Sequence, residues 1–169
     1  MSRAVATGSV VVLLIAVTAA IALPLLALQG LRDALTMRNG ESLTQWVDAD
    51  RLRSNLAARI RARYETGSMG LRMPIEPIVE RLLTPTGLIA AICDGGALTV
   101  DGRVPSSCEI SGALSDVRFE SASRYSAALS RHGTVAATIV MDRAGLHWRL
   151  VDLVLPPSAY DQFKDSVLN

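Results

Sequence analysis

The stretch DVRFESASRYSAALSRHGTVAATIVMDRAGLHWRLVDLVL, residues 116–155, decides the fold class. Its apolar residues recur every second position, the period of a strand with one face buried. Val117 and Phe119 alternate with charges, and Tyr125, Ala127 and Leu129 alternate with small or polar residues. Val135, Ala137, Ile139 and Met141 line one face of the next strand. Ser130-Arg131-His132-Gly133 reads as one hairpin turn. Asp142-Arg143-Ala144-Gly145 reads as a second, with Gly145 free to take positive φ. Leu146 to Leu155 is the last strand, and Pro156-Pro157 ends it.

Upstream the period is helical. Asp94 to Gly112 is a loop of Gly, Ser and Pro without periodicity. Before it, Pro77 to Leu83 carries apolar residues at Ile78, Val79, Leu82 and Leu83. Thr84-Pro85 stops that helix, and Thr86 to Ile92 begins another short one. Asp48 is an N-cap for a longer helix, roughly Ala49 to Glu65. Its stripe is Leu52, Leu56, Ile60 and Tyr64. Arg51, Arg59 and Arg61 fall away from this stripe, whereas Arg53 and Arg63 project near its centre. Leu28, Leu31 and Leu35 mark a first helix ending near Asn39-Gly40, and Ser42 opens a short one with Leu43, Trp46 and Val47. Helices followed by antiparallel strands predict an α+β domain, its helices on one face of a sheet of about four strands.

The beginning of the chain differs in kind. Residues 4–31 carry no charge, and Val10 to Leu28 is almost entirely Val, Leu, Ile and Ala. About 20 apolar residues in a helix cross a bilayer core of about 30 Å. Residues 1–28 therefore read as a transmembrane anchor, with residues 4–28 in contact with the lipid bilayer. Pro24 would kink or shorten that helix. A cleaved signal peptide is the rival reading, because Ala20-Ile21-Ala22 is a small-residue cleavage pattern. Residues 29–157 are then the α+β domain and 158–169 a C-terminal tail, in which Ser158 to Leu168 has helical character.

Composition excludes several functions. The 169 residues carry a net charge of +1 and only 4% aromatics, so neither a basic patch nor a stacking surface for nucleic acid is in view. His132 and His147 are the only histidines, and neither stands in a nucleophile or metal-ligand pattern. Cys93 and Cys108, the only cysteines, flank the glycine-rich loop and are a candidate disulfide in an oxidising compartment. Asp152 is the notable acid. A regular strand puts it on the same face as Trp148, Leu150 and Val154, where a carboxylate must be paired or perturbed. It is either a general base at a pocket mouth or the buried partner of an arginine such as Arg53. A one-residue bulge would turn it outward.

Several short segments, in order, resemble one family. Leu28-Gln29-Gly30-Leu31-Arg32-Asp33-Ala34-Leu35 with Asn39-Gly40-Glu41-Ser42-Leu43 is similar to the DUF2939 family of uncharacterised bacterial envelope proteins. So are Trp46-Val47-Asp48 with Leu52-Arg53-Ser54-Asn55-Leu56, and Leu83-Thr84-Pro85-Thr86-Gly87-Leu88. Trp148-Arg149-Leu150-Val151-Asp152-Leu153 is similar to the family's last strand. The loop from Cys93 to Ser111 departs from the pattern. The order of elements is also similar to cone-shaped NTF2-like and cystatin-like folds. The resemblance implies an N-terminal signal or anchor and, with the cysteines, a single-pass protein of the bacterial cytoplasmic membrane with its domain on the periplasmic side. The expected function is a non-catalytic envelope module without cofactor or metal, binding an apolar small ligand or a protein partner. The alternatives are an accessory subunit of a membrane complex and an enzyme using Asp152 as base.

Overall fold

In the computed structural model, the structure describes residues 22–65, 75–93, 108, 117–131 and 134–157. The first helix, α1, covers residues 22–36 of these. It is followed by α2 (Gly40–Trp46), α3 (Ala49–Glu65), α4 (Ile75–Leu83) and α5 (Pro85–Cys93). Four strands follow: β1 (Val117–Ser121), β2 (Arg124–Arg131), β3 (Thr134–Ala144) and β4 (His147–Val154). They form one antiparallel sheet in the order β1-β2-β3-β4. The expected α+β architecture is present. The stretch expected to form a C-terminal helix, His132 of the first turn and the side chain of Tyr64 lie outside the described residues.

Helix ends follow from local chemistry. Asp48 caps α3, its Oδ1 accepting from the Arg51 N–H at 3.2 Å. Thr84 caps α5 through Gly87 N–H at 3.0 Å, and Pro85 opens it where no N–H is needed. The end of α1 differs from the expectation. Asn39 is the N-cap of α2, accepting from the Ser42 N–H at 3.0 Å. The residue in left-handed conformation is instead Arg38, with φ 53°. The Asn39 N–H donates to Ala34 O and the Arg38 N–H to Leu35 O, the reverse-turn closure of a helix C-terminus. Asn39 cannot serve both helices, so the strained position falls one residue earlier.

The core lies between the helices and one sheet face. Leu28, Leu31 and Leu35 of α1, Leu52, Leu56 and Ile60 of α3 and all of α5 from Gly87 onward are buried. They meet Tyr125, Ala127 and Leu129 of β2, Ala137, Ile139 and Met141 of β3, and Leu150 and Leu153 of β4. Each fully buried Leu contributes about 1.5–3 kcal/mol. The end of the apolar head is thus part of this core: Ala27 and Leu28 are buried and Leu23 packs against it. No helix among the described residues is long and apolar enough to cross a membrane.

Three register shifts break the strict alternation, one at Glu120 of β1 and two in the inner ladders. Leu129 pairs with Ala137 but Ser130 with Val135, so Ala136 is an extra residue in β3. Val135 therefore leaves the core face and is 48% exposed, against the expectation for its position. Met141 pairs with Leu150 but Val140 with Asp152, so Val151 is an extra residue in β4. Asp152 thereby turns to the face opposite Leu150 and Leu153, which corrects its expected place beside Trp148 and Leu150. The turn between β3 and β4 is Gly145-Leu146, tighter and later than the sequence pattern suggests. Gly145, at φ 66°, supplies the positive φ that a two-residue hairpin of this kind needs at its first position.

The outer side of β4 is occupied by α3. The Asp48 N–H donates to Leu150 O at 3.0 Å, Asn55 Nδ2 donates to Val151 O at 2.8 Å, and Val47 bridges to Leu150.

Candidate functional site

Two features can carry function: a rail of ion pairs where α3 meets the sheet, and an apolar cleft among the helices.

The rail starts from helix geometry. At about 100° per residue, Arg59 projects about 20° from Leu52 on the sheet side of the stripe, and Arg53 about 100° on the other side. Arg51, Asn55 and Arg59, four residues apart, form one row beside β4. Arg59 is the partner of Asp152: its Nε donates to Oδ1 and Oδ2, each at 3.0 Å. The Leu153 N–H donates to Oδ1 at 2.9 Å. Asp142, one strand inward, accepts from Arg124 Nε at 2.8 Å and is paired with Arg51.

The expected pair of Arg53 with Asp152 is not formed. Arg53 lies on the α4 side and meets Glu80 at 3.2 Å, with both side chains more than half exposed. The row next to α4 is completed by Arg61 with Glu76 at 3.8 Å. The physical reason is that the stripe has two flanks facing different elements, and a long Arg stem decides its partner by flank rather than by distance from the stripe's centre. Arg63 is exposed. Arg51 and Arg59, read from sequence as pointing away, are the two that reach the sheet. Their spacing of eight with Asn55 between them is the signal that identifies them.

Chemically the rail is occupied. Both oxygens of Asp152 accept from Arg59, and Oδ1 accepts from the Leu153 N–H as well. His147, the first residue of β4, is exposed. No group of three or more His, Cys, Asp or Glu able to hold a metal occurs among the described residues. Tyr125 is fully buried and burial raises its phenol well above the ordinary range. Its hydroxyl donates to Pro24 O at 3.0 Å, fastening the start of α1 to the sheet. Cys93, at the end of α5, is disulfide-bonded to Cys108, with Cα atoms 5.1 Å apart.

The cleft is shallow, with a volume of about 70 Å³. Leu43, Thr44 and Val47 line it from α2 and its C-cap, Ala49 from the start of α3, and Leu83, Pro85 and Leu88 from the α4–α5 corner. Thr44 is its one polar side chain, and its hydroxyl already donates to Glu41 O at 2.6 Å. The cleft thus offers shape and dispersion without a polar group to orient a ligand, and it is smaller than an ordinary ligand site. Sequence reasoning did not find it. Its lining residues read as ordinary helix-packing positions, and nothing in the sequence marks the gap they leave between α2 and the α4–α5 corner.

The family model "Protein of unknown function (DUF2939)" matches residues 13–91. The match takes in all five helices to within two residues of the end of α5, every residue lining the cleft, and the motifs around Gly30, Trp46 and Pro85. Trp148 to Leu153, whose likeness to the family was read from sequence, lies outside it. No curated protein and no solved structure matches. Over residues 13–91, its helical part, this chain is thus similar to the DUF2939 family.

Proposed function

We propose that this chain is a membrane-tethered, non-catalytic envelope protein whose domain takes an apolar small ligand or a protein partner in the cleft between α2 and the α4–α5 corner. The observation that carries the reading is the continuity of residues 4–31, which hold no charge, with a helix whose far half is built into the domain core. A greasy leader attached to a core helix delivers the domain to the bilayer surface. The Cys93–Cys108 bond supports an exported, oxidising location, since such bonds persist there and are reduced in the cytosol. The pairing of buried Asp152 and half-buried Asp142 with arginines supports a structural rather than catalytic use of these acids.

The test uses the full chain in its membranes. It should stay with vesicles through high-salt and alkaline extraction. Cys93 and Cys108 should react with an impermeant thiol reagent added to intact cells only after reduction. A photo-crosslinker at Thr44 should then capture a lipid or a defined protein. Release of the intact chain at high salt ends the tether reading, and thiols labelled without reduction, from the cytosolic side only, end the exported placement.

A further inference from the structure

Among the described residues, five large apolar side chains are strongly exposed: Leu26, Met37, Phe119, Val135 and Leu146. Three of them share one end of the molecule. Phe119 sits on β1 opposite Tyr125, its ring centroid 5.9 Å from the Tyr125 ring. Leu146 is at the tip of the β3–β4 turn, beside Trp148, whose ring meets Tyr125 edge-on at 5.0 Å. The β1–β2 and β3–β4 turns lie at this same end, since Arg143 N–H donates to Ser123 O at 2.8 Å. Tyr125 in turn donates to Pro24 O, so this end is level with the start of α1, where Leu26 is 59% exposed.

The length of the head sets where the bilayer must be. Leu23 already packs on the core, and Pro24, Ala27 and Leu28 are buried by the domain. Residues 4–22 remain for lipid, nineteen residues that as a helix would reach about 29 Å. That matches the hydrocarbon core and leaves no linker. Leu26 then falls about 4.5 Å beyond Leu23, inside the headgroup layer.

Resting on the tether reading above, we infer that the end of the domain bearing Leu26, Phe119 and Leu146 lies directly on the bilayer surface and inserts these side chains at the headgroup–acyl boundary. The contact is apolar and interfacial, of the kind aromatic and aliphatic anchors make at membrane surfaces. It gives three otherwise costly exposures a common partner. Met37 and Val135 lie outside it. Met37 is about 20 Å along α1 from Pro24, and Val135 stands beside the β2–β3 connection, about 17 Å along the sheet from Tyr125.

The experiment reconstitutes the full chain into phosphatidylcholine vesicles with or without brominated acyl chains. Phe119→Trp, Leu146→Trp and Val135→Trp variants are read as fluorescence differences from the unsubstituted chain. Phe119→Trp and Leu146→Trp should be quenched by brominated lipid at least about twice as strongly as Val135→Trp, with emission shifted to the blue, because an interfacial ring sits beside the acyl chains. Equal, weak quenching of all three, with the chain still floating with vesicles, overturns the surface contact and leaves the tether standing. A chain that does not float overturns the tether reading and the contact with it.

Discussion

Asp152 shows how one residue's partner sets its role. Its side chain is only 10% exposed, and Arg59, 42% exposed, is the guanidinium that satisfies it. Removing Arg59 leaves a buried carboxylate short of donors, while removing Arg53 breaks a solvent-screened pair. Arg59→Met should therefore cost about 1–2 kcal/mol, discounted for the exposure of the guanidinium. Arg53→Met should stay within about 0.5 kcal/mol. Denaturant midpoints of the full chain in detergent measure both, and equal losses would contradict the assignment. Tyr125 is the second residue with a clear consequence. Burial raises its phenol, so the unfolded chain ionises first as pH rises past the ordinary value of about 10. The native state then holds more protons, and stability falls with rising pH from that point. Spectrophotometric titration should leave one of the chain's three tyrosines protonated until the chain unfolds.

At the scale of elements, α1 and α2 meet closely. A Cβ on Gly30 would stand 2.8 Å and 2.9 Å from Trp46 ring carbons, nearer than side chains tolerate. Gly30→Ala should thus push the Trp46 ring outward, shift fluorescence to the red and cost about 1–3 kcal/mol. An unshifted spectrum with unchanged stability would show that the helices are not in contact there. Elements of this kind were largely legible. The span of α3 follows from Asp48 and the Leu52–Leu56–Ile60 stripe, and α4 and α5 from the Thr84-Pro85 break. The bulges were not. Val135-Ala136-Ala137 and Leu150-Val151 are runs of apolar residues in which any member can be the extra one, so alternation alone cannot locate the slip. Each slip moved one assigned residue, Val135 or Asp152, to the other face. The partner of Asp152 was missed for a related reason. Helical angle ranks residues by distance from the stripe, but it does not say which neighbour lies on which flank until β4 and α4 are in place.

At the scale of the whole molecule, the Cys93–Cys108 bond ties the end of the helical half to the chain that leads into the sheet. Closing a loop of about 15 residues stabilises a fold by about 3 kcal/mol in the chain-entropy description. Reduction should lower stability by roughly that amount in equilibrium unfolding, and a chain indifferent to reductant would show the bond to be incidental. The pairing was readable from the positions of the two cysteines around an aperiodic loop, whereas the cleft needed the assembled helices. The blocked flank of β4 has a further effect on how copies of the chain can meet. With α3 lying over that rim, β1 is the one outer strand left to join another molecule among the described residues. Two copies joined there would use up both open rims, so such an association would stop at a pair and could not grow into a fibre.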